Sequence, residues 1–275
     1  MPSIASPPLP RRAFVLALAT LLGPAAFAQA PRYSSAPASA GGIGKRYMGR
    51  EIAGVMGWQG AAWLEREERE REERTDLLMT ALALKPGMVV ADIGAGTGYL
   101  SRRMAAAVAP GGRVLAVDVQ PEMIRMLQDL ARTSGLRNIE PRLGTETDVK
   151  LRAASVDLAI MVDVYHELAF PYEVLASIVR ALKPGGQLVF VEYRAEDAQV
   201  PIKALHKMSE AQVRREAAVQ PLVWERTVGS LPWQHLIVFR KAGAGGGHAP
   251  GEHHRAAALR GRPWRAGGLA TLQAG

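Results

Sequence analysis

The stretch VVADIGAGTGYLS, at residues 89–101, constrains the fold of this chain more than any other feature of its sequence. A short apolar run ends in Asp92, and three glycines follow it, at Gly94, Gly96 and Gly98. Glycine adopts backbone conformations that other residues avoid, so such a loop turns sharply and brings its backbone N–H groups close to a ligand. The stretch therefore predicts a buried strand, a ligand-binding loop and a helix in direct succession.

Strand and helix patterns alternate from residue 85 onward. Strands are predicted at 89–93, 114–117, 139–143, 156–162, 188–191, 222–228 and 235–240, and helices at 99–109, 121–133, 172–182 and 209–219. Continuously apolar strands separated by helices indicate a parallel sheet covered on both faces. The last two strands flank GSLPW, which is typical of a hairpin. We expect an α/β fold with a three-layer, doubly wound, seven-stranded and mainly parallel sheet, an antiparallel last strand, and a ligand at the carboxyl ends of the strands.

Residues 1–30 have the segment order of a secretory signal peptide. Arg11 and Arg12 precede an apolar run at 13–22, and A-x-A cleavage sites follow at 26–30. We therefore expect removal of this segment and export of the protein to the periplasm. The arginine pair also fits a twin-arginine signal, while a short membrane anchor and a misplaced start codon are alternatives. No apolar run reaches the roughly 18 residues of a membrane span, so none is expected in the mature chain.

The rest of the chain divides into four segments by composition. Residues 31–47 are predicted to be a flexible leader, and residues 243–275, rich in glycine and alanine, a disordered tail. Between them, residues 48–84 are predicted to form a helical lid or cap, and residues 85–242 the ligand-binding domain.

Residues 61–84 are predicted to form one highly charged helix. Acid-first pairs four residues apart can form in it, namely Glu65–Arg69, Glu67–Arg71 and Glu70–Arg74. Such a helix is either solvated and salt-bridged, or it supports a lid over the site. The lid would include Met56, Trp58 and Trp63. Burial of these three residues in a core would account for them equally well.

The charge and the cysteine content exclude several classes of function. The net charge is +8, but the two terminal segments carry most of it, so no nucleic-acid partner is expected. The chain has no cysteine, which excludes disulfides, a cysteine nucleophile and a thiolate metal site. Three histidines in the tail, at 248, 253 and 254, fit a solvated segment better than a metal site.

Asp118 is the second candidate binding residue. It ends the second predicted strand, 20 residues after Gly98. A carboxylate at that place can accept hydrogen bonds from both hydroxyls of a ribose, and a helix cap ahead of Pro121 is the alternative. A dinucleotide enzyme would show G-x-G-x-x-G, whereas here the third glycine comes one place earlier and Tyr99 fills the next position.

Four segments resemble, in order, the motifs of the Rossmann-like (class I) S-adenosylmethionine-dependent methyltransferases. They are VVADIGAGTGYLS, VLAVDVQPEM, SVDLAIMVDVYHEL and ALKPGGQLVFVEYR, and the resemblance spans residues 48–241. Two later stretches, EYRAEDAQVPIKALHKMSEAQVRRE and ERTVGSLPWQHLIVFRK, resemble an exported bacterial subgroup of predicted methyltransferases. The resemblance implies S-adenosylmethionine as the cofactor and methyl transfer as the reaction. The sequence shows no obvious inserted substrate domain, so we expect a small-molecule acceptor.

The resemblance also assigns cofactor contacts. Asp92 and the glycine loop would face the methionine part, the loop residues being Gly94, Ala95, Gly96, Gly98 and Tyr99. Asp118 would hold the ribose and Val119 would pack on the adenine. Asp148 would meet the adenine amino group, and Asp163 would end the fourth strand beside the cofactor.

The acceptor side is expected just past the fourth and fifth strands. His166 is a candidate catalytic base or a loop-fixing histidine, and Tyr165 a candidate for catalysis or for the acceptor pocket. Several polar residues form the acceptor side or an ion-paired network behind it: Glu192, Tyr193, Arg194, His206 and Lys207. Metal-dependent methyltransferases bind a divalent ion with several carboxylates and an asparagine. Only two carboxylates, Asp163 and Glu192, are candidates here, so no metal is expected.

Two other classes of protein remain as alternatives. Export would place the chain where S-adenosylmethionine is not expected to be plentiful, so one alternative is an exported binding protein that keeps this fold without turnover. A nicotinamide oxidoreductase is disfavoured by the glycine spacing. The sequence leaves open the acceptor, whether oxygen, nitrogen or carbon is methylated, and the oligomeric state.

Overall fold

The computed structural model describes residues 32–243. The predicted signal peptide at 1–30 and all but the first residue of the predicted tail at 243–275 lie outside the described residues. Among the described residues, none of the helices has the length and apolar character needed to cross a membrane.

The chain first forms a small antiparallel sheet. Its strands are β1 (Tyr33–Ser35), β2 (Gly42–Tyr47) and β3 (Arg50–Ala53). The prediction of a flexible leader at 31–47 is therefore corrected for the part that is described. The carboxylate of Glu51 accepts hydrogen bonds from the backbone N–H groups of Ser39 and Gly44, which fixes the turn between the first two strands. Burial of Tyr47 adds the packing that the small residues of this segment do not supply.

Three short helices replace the single helix predicted at 61–84. They are α1 (Ala61–Leu64), α2 (Arg69–Glu73) and α3 (Thr75–Leu82). Arg74 adopts a left-handed φ of 50°, which separates the second helix from the third. None of the three predicted i,i+4 pairs is among the salt bridges of the described residues. Two of their acids contact arginines farther along the chain instead: Glu65 lies 2.5 Å from Arg102, and Glu70 lies 3.6 Å from Arg103.

A larger sheet follows, and its elements alternate along the chain. They are β4 (Val89–Ile93), α4 (Tyr99–Val108), β5 (Arg113–Asp118), α5 (Pro121–Thr133), β6 (Ile139–Leu143), β7 (Val156–Val162), α6 (Pro171–Ala181), β8 (Leu182–Arg194), β9 (Lys207–Met208), α7 (Glu210–Ala217), β10 (Leu222–Val228) and β11 (Gln234–Lys241). The strand order is β10-β11-β8-β7-β4-β5-β6, with the short β9 paired to β8. β11 is antiparallel to both neighbours, and the other pairs of this path are parallel. The predicted fold class is confirmed.

The sheet separates two apolar clusters and so forms the middle of three layers. One cluster lies under α6 and α7, where Leu175 and Val213 are fully buried. The other lies under α3, α4 and α5, where Leu78, Met104 and Leu127 are buried. Side chains that alternate along each strand feed both clusters, which explains why the strands are apolar without interruption.

One buried ion pair joins the N-terminal sheet to the last helix. The guanidinium of Arg50 on β3 donates to both carboxylate oxygens of Glu216 on α7, at 2.9 and 3.0 Å. Its remaining terminal nitrogen donates to the backbone oxygen of His166 at 3.1 Å. Glu216 is fully buried, so its charge depends on this partner.

Replacing Arg50 by methionine is expected to destabilise the protein by about 3–5 kcal/mol, because the charge of Glu216 would stay buried without compensation. Urea unfolding measures this loss. Arg132→Met is the matched control, since the pair of Arg132 with Asp129 is exposed and is worth at most about 1 kcal/mol. The double variant Arg50→Met/Glu216→Leu should recover much of the loss, and equal stability of Arg50→Met and the control would contradict this assignment.

Candidate active site

A cavity of about 800 Å³ lies at the carboxyl ends of the parallel strands. Its floor includes Gly94, Gly96, Asp118, Asp163 and His166. The segment before the main sheet contributes apolar residues on the other side: Ile43, Ala53, Val55, Met56, Trp63 and Leu64. The volume is in the upper part of the roughly 300–1,000 Å³ range of small-molecule sites.

The glycine loop after β4 has the geometry that its sequence predicts. Gly94, Gly96 and Gly98 all have positive φ, at 71°, 56° and 85°. A Cβ on Gly94 would lie 2.5 Å from the side chain of Val164, and one on Gly96 would lie 2.6 Å from Leu64. Both positions thus need glycine for backbone conformation and for space, and the loop presents bare backbone to the cavity.

Asp118 lies at the end of β5, next to this loop. Its carboxylate accepts hydrogen bonds from the backbone N–H groups of Gly96 at 3.0 Å and Gln120 at 2.9 Å. Each oxygen keeps a further lone pair for a ligand in the cavity. Burial is the main cause that raises the pKa of Asp118, and these hydrogen bonds oppose the rise. The adjacent Val119 also lines the cavity and is 43% exposed, so its side chain is free to pack on a ligand.

Asp92 lies beneath the loop rather than on the wall of the main cavity. Its carboxylate accepts a hydrogen bond from the Ser101 hydroxyl at 2.6 Å. With Ala95 and Tyr99 it lines a small adjoining pocket. Burial raises the pKa of Asp92 to about 6. In this structure, Asp92, Ala95 and Tyr99 support the loop from behind.

Asp163 follows β7 and lines the cavity. It has a left-handed φ of 55°, and one carboxylate oxygen accepts a hydrogen bond from Gln234 at 2.6 Å. The other oxygen is buried and has no hydrogen-bond partner among the described residues. Burial, followed by the charges of Glu73 and Glu192, raises the pKa of Asp163 well above its usual value. Asp163 thus brings one buried and unpartnered acceptor oxygen to the wall of the cavity.

The structure corrects the expected role of Asp148. Its side chain is bound by Arg180 on α6, at 2.9 and 3.0 Å, and does not line the cavity. The lining residues from this loop are Gly144, Thr145, Glu146 and Val149. The sequence placed the loop at the cavity correctly, but the ion pair across to α6 turns the predicted side chain away.

The structure also corrects Tyr165 as a residue of catalysis or of the acceptor pocket. Its side chain is fully buried, and its ring stands edge-on against Phe190 at a centroid distance of 4.9 Å. Residues 165–167 form one turn of 3₁₀ helix, and of these only His166 and Glu167 line the cavity. Successive side chains of a tight turn point in different directions, which places Tyr165 in the core.

His166 is held in a defined orientation. Its Nδ1 lies 2.6 Å from a carboxylate oxygen of the fully buried Glu192. The other Glu192 oxygen accepts a hydrogen bond from the backbone N–H of Tyr165. A carboxylate without a proton only accepts, so Nδ1 is the donor in this hydrogen bond. Nε2 lies 3.1 Å from Nδ1 of His206, which also lines the cavity.

Gln120 is a site residue that the sequence analysis missed. Its side-chain oxygen accepts from the backbone N–H of Trp58 at 2.8 Å, and its amide donates to the Met56 oxygen at 3.0 Å. It thereby ties the segment over the cavity to the end of β5. Its place two residues after Asp118 was the available signal.

Of the predicted lid residues, Met56 and Trp63 line the cavity and Trp58 does not, and neither tryptophan is buried in a core.

The chain matches a known family over the domain just described. The family model, described as a methyltransferase domain, matches residues 84–240. The arsenite methyltransferase of Halobacterium salinarum is 32% identical over 106 residues, which cover 38% of this chain and 27% of that protein. The ubiquinone/menaquinone biosynthesis C-methyltransferase of Hydrogenovibrio crunogenus is 30% identical over 111 residues, which cover 40% of this chain and 44% of that protein.

A solved structure agrees in fold. A SAM-dependent methyltransferase from Aquifex aeolicus has a TM-score of 0.65 and 23% identity, and the match covers 68% of this chain and 100% of that one. The chain spans less than half the length of the curated relatives named above. The protein belongs to the methyltransferase-domain family, and its fold and family imply S-adenosylmethionine as the cofactor.

Asp92→Asn is expected to stabilise the protein, and more so at higher pH. The folded state holds the Asp92 proton more tightly than the unfolded chain does, so this residue lowers stability as pH rises from about 4 to 6. The gain in unfolding free energy should be roughly 1–2 kcal/mol larger at about pH 7.5 than at about pH 5.

Urea unfolding at both pH values measures this difference. Asp129→Asn, at an exposed position on α5, is the control and should show none. Destabilisation of Asp92→Asn by the same amount at both pH values would contradict the assignment.

Proposed function

We propose that this protein is an S-adenosylmethionine-dependent methyltransferase that acts on a small-molecule acceptor. The observation that carries the proposal is the placement of Asp118 and the glycine loop on one cavity, at the carboxyl ends of parallel strands. The family match supports the reaction class, and the acceptor is proposed on the form of the cavity.

The described residues fit the cofactor. Gly94 and Gly96 form a cradle that any Cβ would fill, so main chain can approach the methionine part. Asp118 has free lone pairs for the two ribose hydroxyls, and the exposed Val119 offers an apolar surface to the adenine. The unpartnered oxygen of Asp163 suits the amino group of the methionine part, because an ammonium is a cationic donor.

Methyl transfer asks for alignment more than for acid–base chemistry. When bound, S-adenosylmethionine supplies a methyl group that its sulfonium already activates. The chain's own task is to hold an acceptor in line and to exclude water. The apolar residues of the segment over the cavity serve the second need, and Gln120 anchors that segment.

The acceptor is proposed to bind beside the turn that follows β7 and the turn that precedes β9. His166, Lys203 and His206 line the cavity there and offer polar contacts beside apolar residues such as Ile202 and Leu168. The same cavity must also hold the cofactor, which leaves room for a small acceptor rather than a polymer.

Asp118→Ala is expected to weaken binding of S-adenosylmethionine and S-adenosylhomocysteine at least about 100-fold. Hydrogen bonds to a charged acceptor contribute about 1.5–3 kcal/mol each, and the variant removes two. Stability should fall less than binding does, because the loss of the hydrogen bonds from Gly96 and Gln120 is partly offset by removal of a carboxylate whose ionised form burial disfavours. Calorimetric titration of protein that has been unfolded and refolded, to remove carried ligand, measures the binding.

Asp129→Ala is the matched control and should bind like the parent, and NAD should bind neither protein. Equal binding by Asp118→Ala and the parent would remove the ribose assignment. Absence of binding by both sulfur compounds to the parent would withdraw the proposed activity. Binding without product in an acceptor screen would favour a binding protein.

We also propose that the protein is exported to the periplasm, as a member of the exported subgroup that its sequence resembles. The support is the order of segments in residues 1–30, which ends in A-x-A sites. Cell fractionation and N-terminal sequencing should find a shortened chain in the periplasm. Arg11→Lys/Arg12→Lys should retain it in the cytoplasm if the twin-arginine route is used, and a full-length chain in the cytoplasm would contradict export.

A further inference from the structure

Three potential metal ligands meet on the wall of the cavity. They are His166 and Glu167 in the turn after β7, and His206 in the turn before β9. All three line the cavity. β7 and β9 both pair with β8, which is why two turns far apart in sequence meet here.

The three facing atoms have the spacing of ligands around one small ion. Nε2 of His166 lies 3.1 Å from Nδ1 of His206 and 3.8 Å from Oε1 of Glu167, and the last two atoms are 3.4 Å apart. Ligand atoms of a tetrahedral ion with bonds of about 2.1 Å lie about 3.4 Å apart, and those of an octahedral ion about 3.0 Å. A point about 2 Å from all three atoms exists, so they fit three corners of a tetrahedron.

Other residues already hold two of these ligands in place. Glu192 accepts a hydrogen bond from Nδ1 of His166, and this orientation of the ring turns Nε2 toward the cluster. The second oxygen of Glu167 accepts from the backbone N–H of Met56 at 3.2 Å, which turns Oε1 toward the histidines. A carboxylate behind a ligating histidine is the usual support of a zinc site. The charges of Glu167 and Glu192 also balance those of a divalent ion.

We propose that His166, Glu167 and His206 bind a divalent transition-metal ion, with zinc favoured, and leave its fourth position open to the cavity. Two imidazoles and one carboxylate suit zinc and its neighbours, whereas magnesium prefers oxygen ligands. The open position would take a water molecule or a donor atom of a bound small molecule. The sequence predicts no metal because Asp163 and Glu192 alone are too few carboxylates, and it does not reveal that the pairing of β9 with β8 brings His206 to His166.

Metal binding and base catalysis are alternative roles for His166, since both need the lone pair of Nε2. The metal proposal does not depend on the proposed methyl transfer, because the ion can be measured without cofactor or acceptor. The test is titration with Co²⁺ of full-length protein freed of metal by chelation and carrying no affinity tag. His248→Ala/His253→Ala/His254→Ala is the background, so that other histidines of the chain do not contribute.

The expected result is one Co²⁺ per chain with the intense visible bands of a four-coordinate ion, displaced by Zn²⁺ and not by Mg²⁺. His206→Ala and Glu167→Gln should each weaken binding at least about 100-fold, more than the loss of a supporting residue does. Glu146→Gln, which removes another cavity-lining glutamate, is the matched control and should bind like the background. Thermal unfolding midpoints show that each variant is folded.

Any of three results would overturn the proposal: no bound Co²⁺, unchanged affinity in both folded ligand variants, or equal displacement by Mg²⁺. Titration of the same proteins with S-adenosylhomocysteine is scored separately. If the background protein binds S-adenosylhomocysteine but no metal, the metal site alone is rejected. If it binds metal but no S-adenosylhomocysteine, the cofactor assignment alone is rejected.

Discussion

The site depends on β7, β4 and β5 being parallel neighbours in the sheet. Parallel strands end at the same edge, so the three aspartates at or just past their ends come together although 71 residues separate the first from the last. Burial raises the pKa of Asp92, Asp118 and Asp163. Each is thus less stable in its ionised form than in water. Asp118 and Asp163 line the cavity, so a ligand that donates hydrogen bonds or carries positive charge would relieve the penalty of these two, whereas Asp92 is bound by Ser101 behind the loop.

The N-terminal segment turns an open sheet edge into an enclosed cavity. Without it, the carboxyl ends of the strands would face water, and the electrostatic interactions there would be screened. Arg50 connects this segment to Glu216 and to the backbone of His166, and Gln120 connects it to the end of β5. The enclosure is therefore anchored at both ends of the cavity. The segment is part of the site, although it lies almost wholly before the residues that match the family model.

The sequence was informative where one local rule decides the structure. The seven main strands were predicted from apolar runs. The bounds of α5 were predicted from Pro121 at its start and Gly135 after its end, and they agree with the structure. Prediction from the sequence was wrong where a contact with a residue far along the chain determines the local structure. The charged run at 65–74 looks like a self-paired helix, yet Glu65 binds Arg102 and the helix breaks at Arg74. Asp148 was assigned by its position in a motif, and only the structure reveals Arg180 beside it. Residues 31–47 were predicted to be flexible because many of them are small, and the sequence does not reveal that Glu51 binds their backbone and that Tyr47 is buried.

The cavity wall combines two kinds of polar group. Asp118 and Asp163 present carboxylate oxygens, which favour hydroxyl and ammonium donors. His166 and His206 present imidazole nitrogens beside the carboxylate of Glu167, and the proposed metal site uses all three. In the proposed methyl transfer, the apolar residues over the cavity would exclude water from both groups, so that a bound donor and a bound acceptor are held together in a dry site.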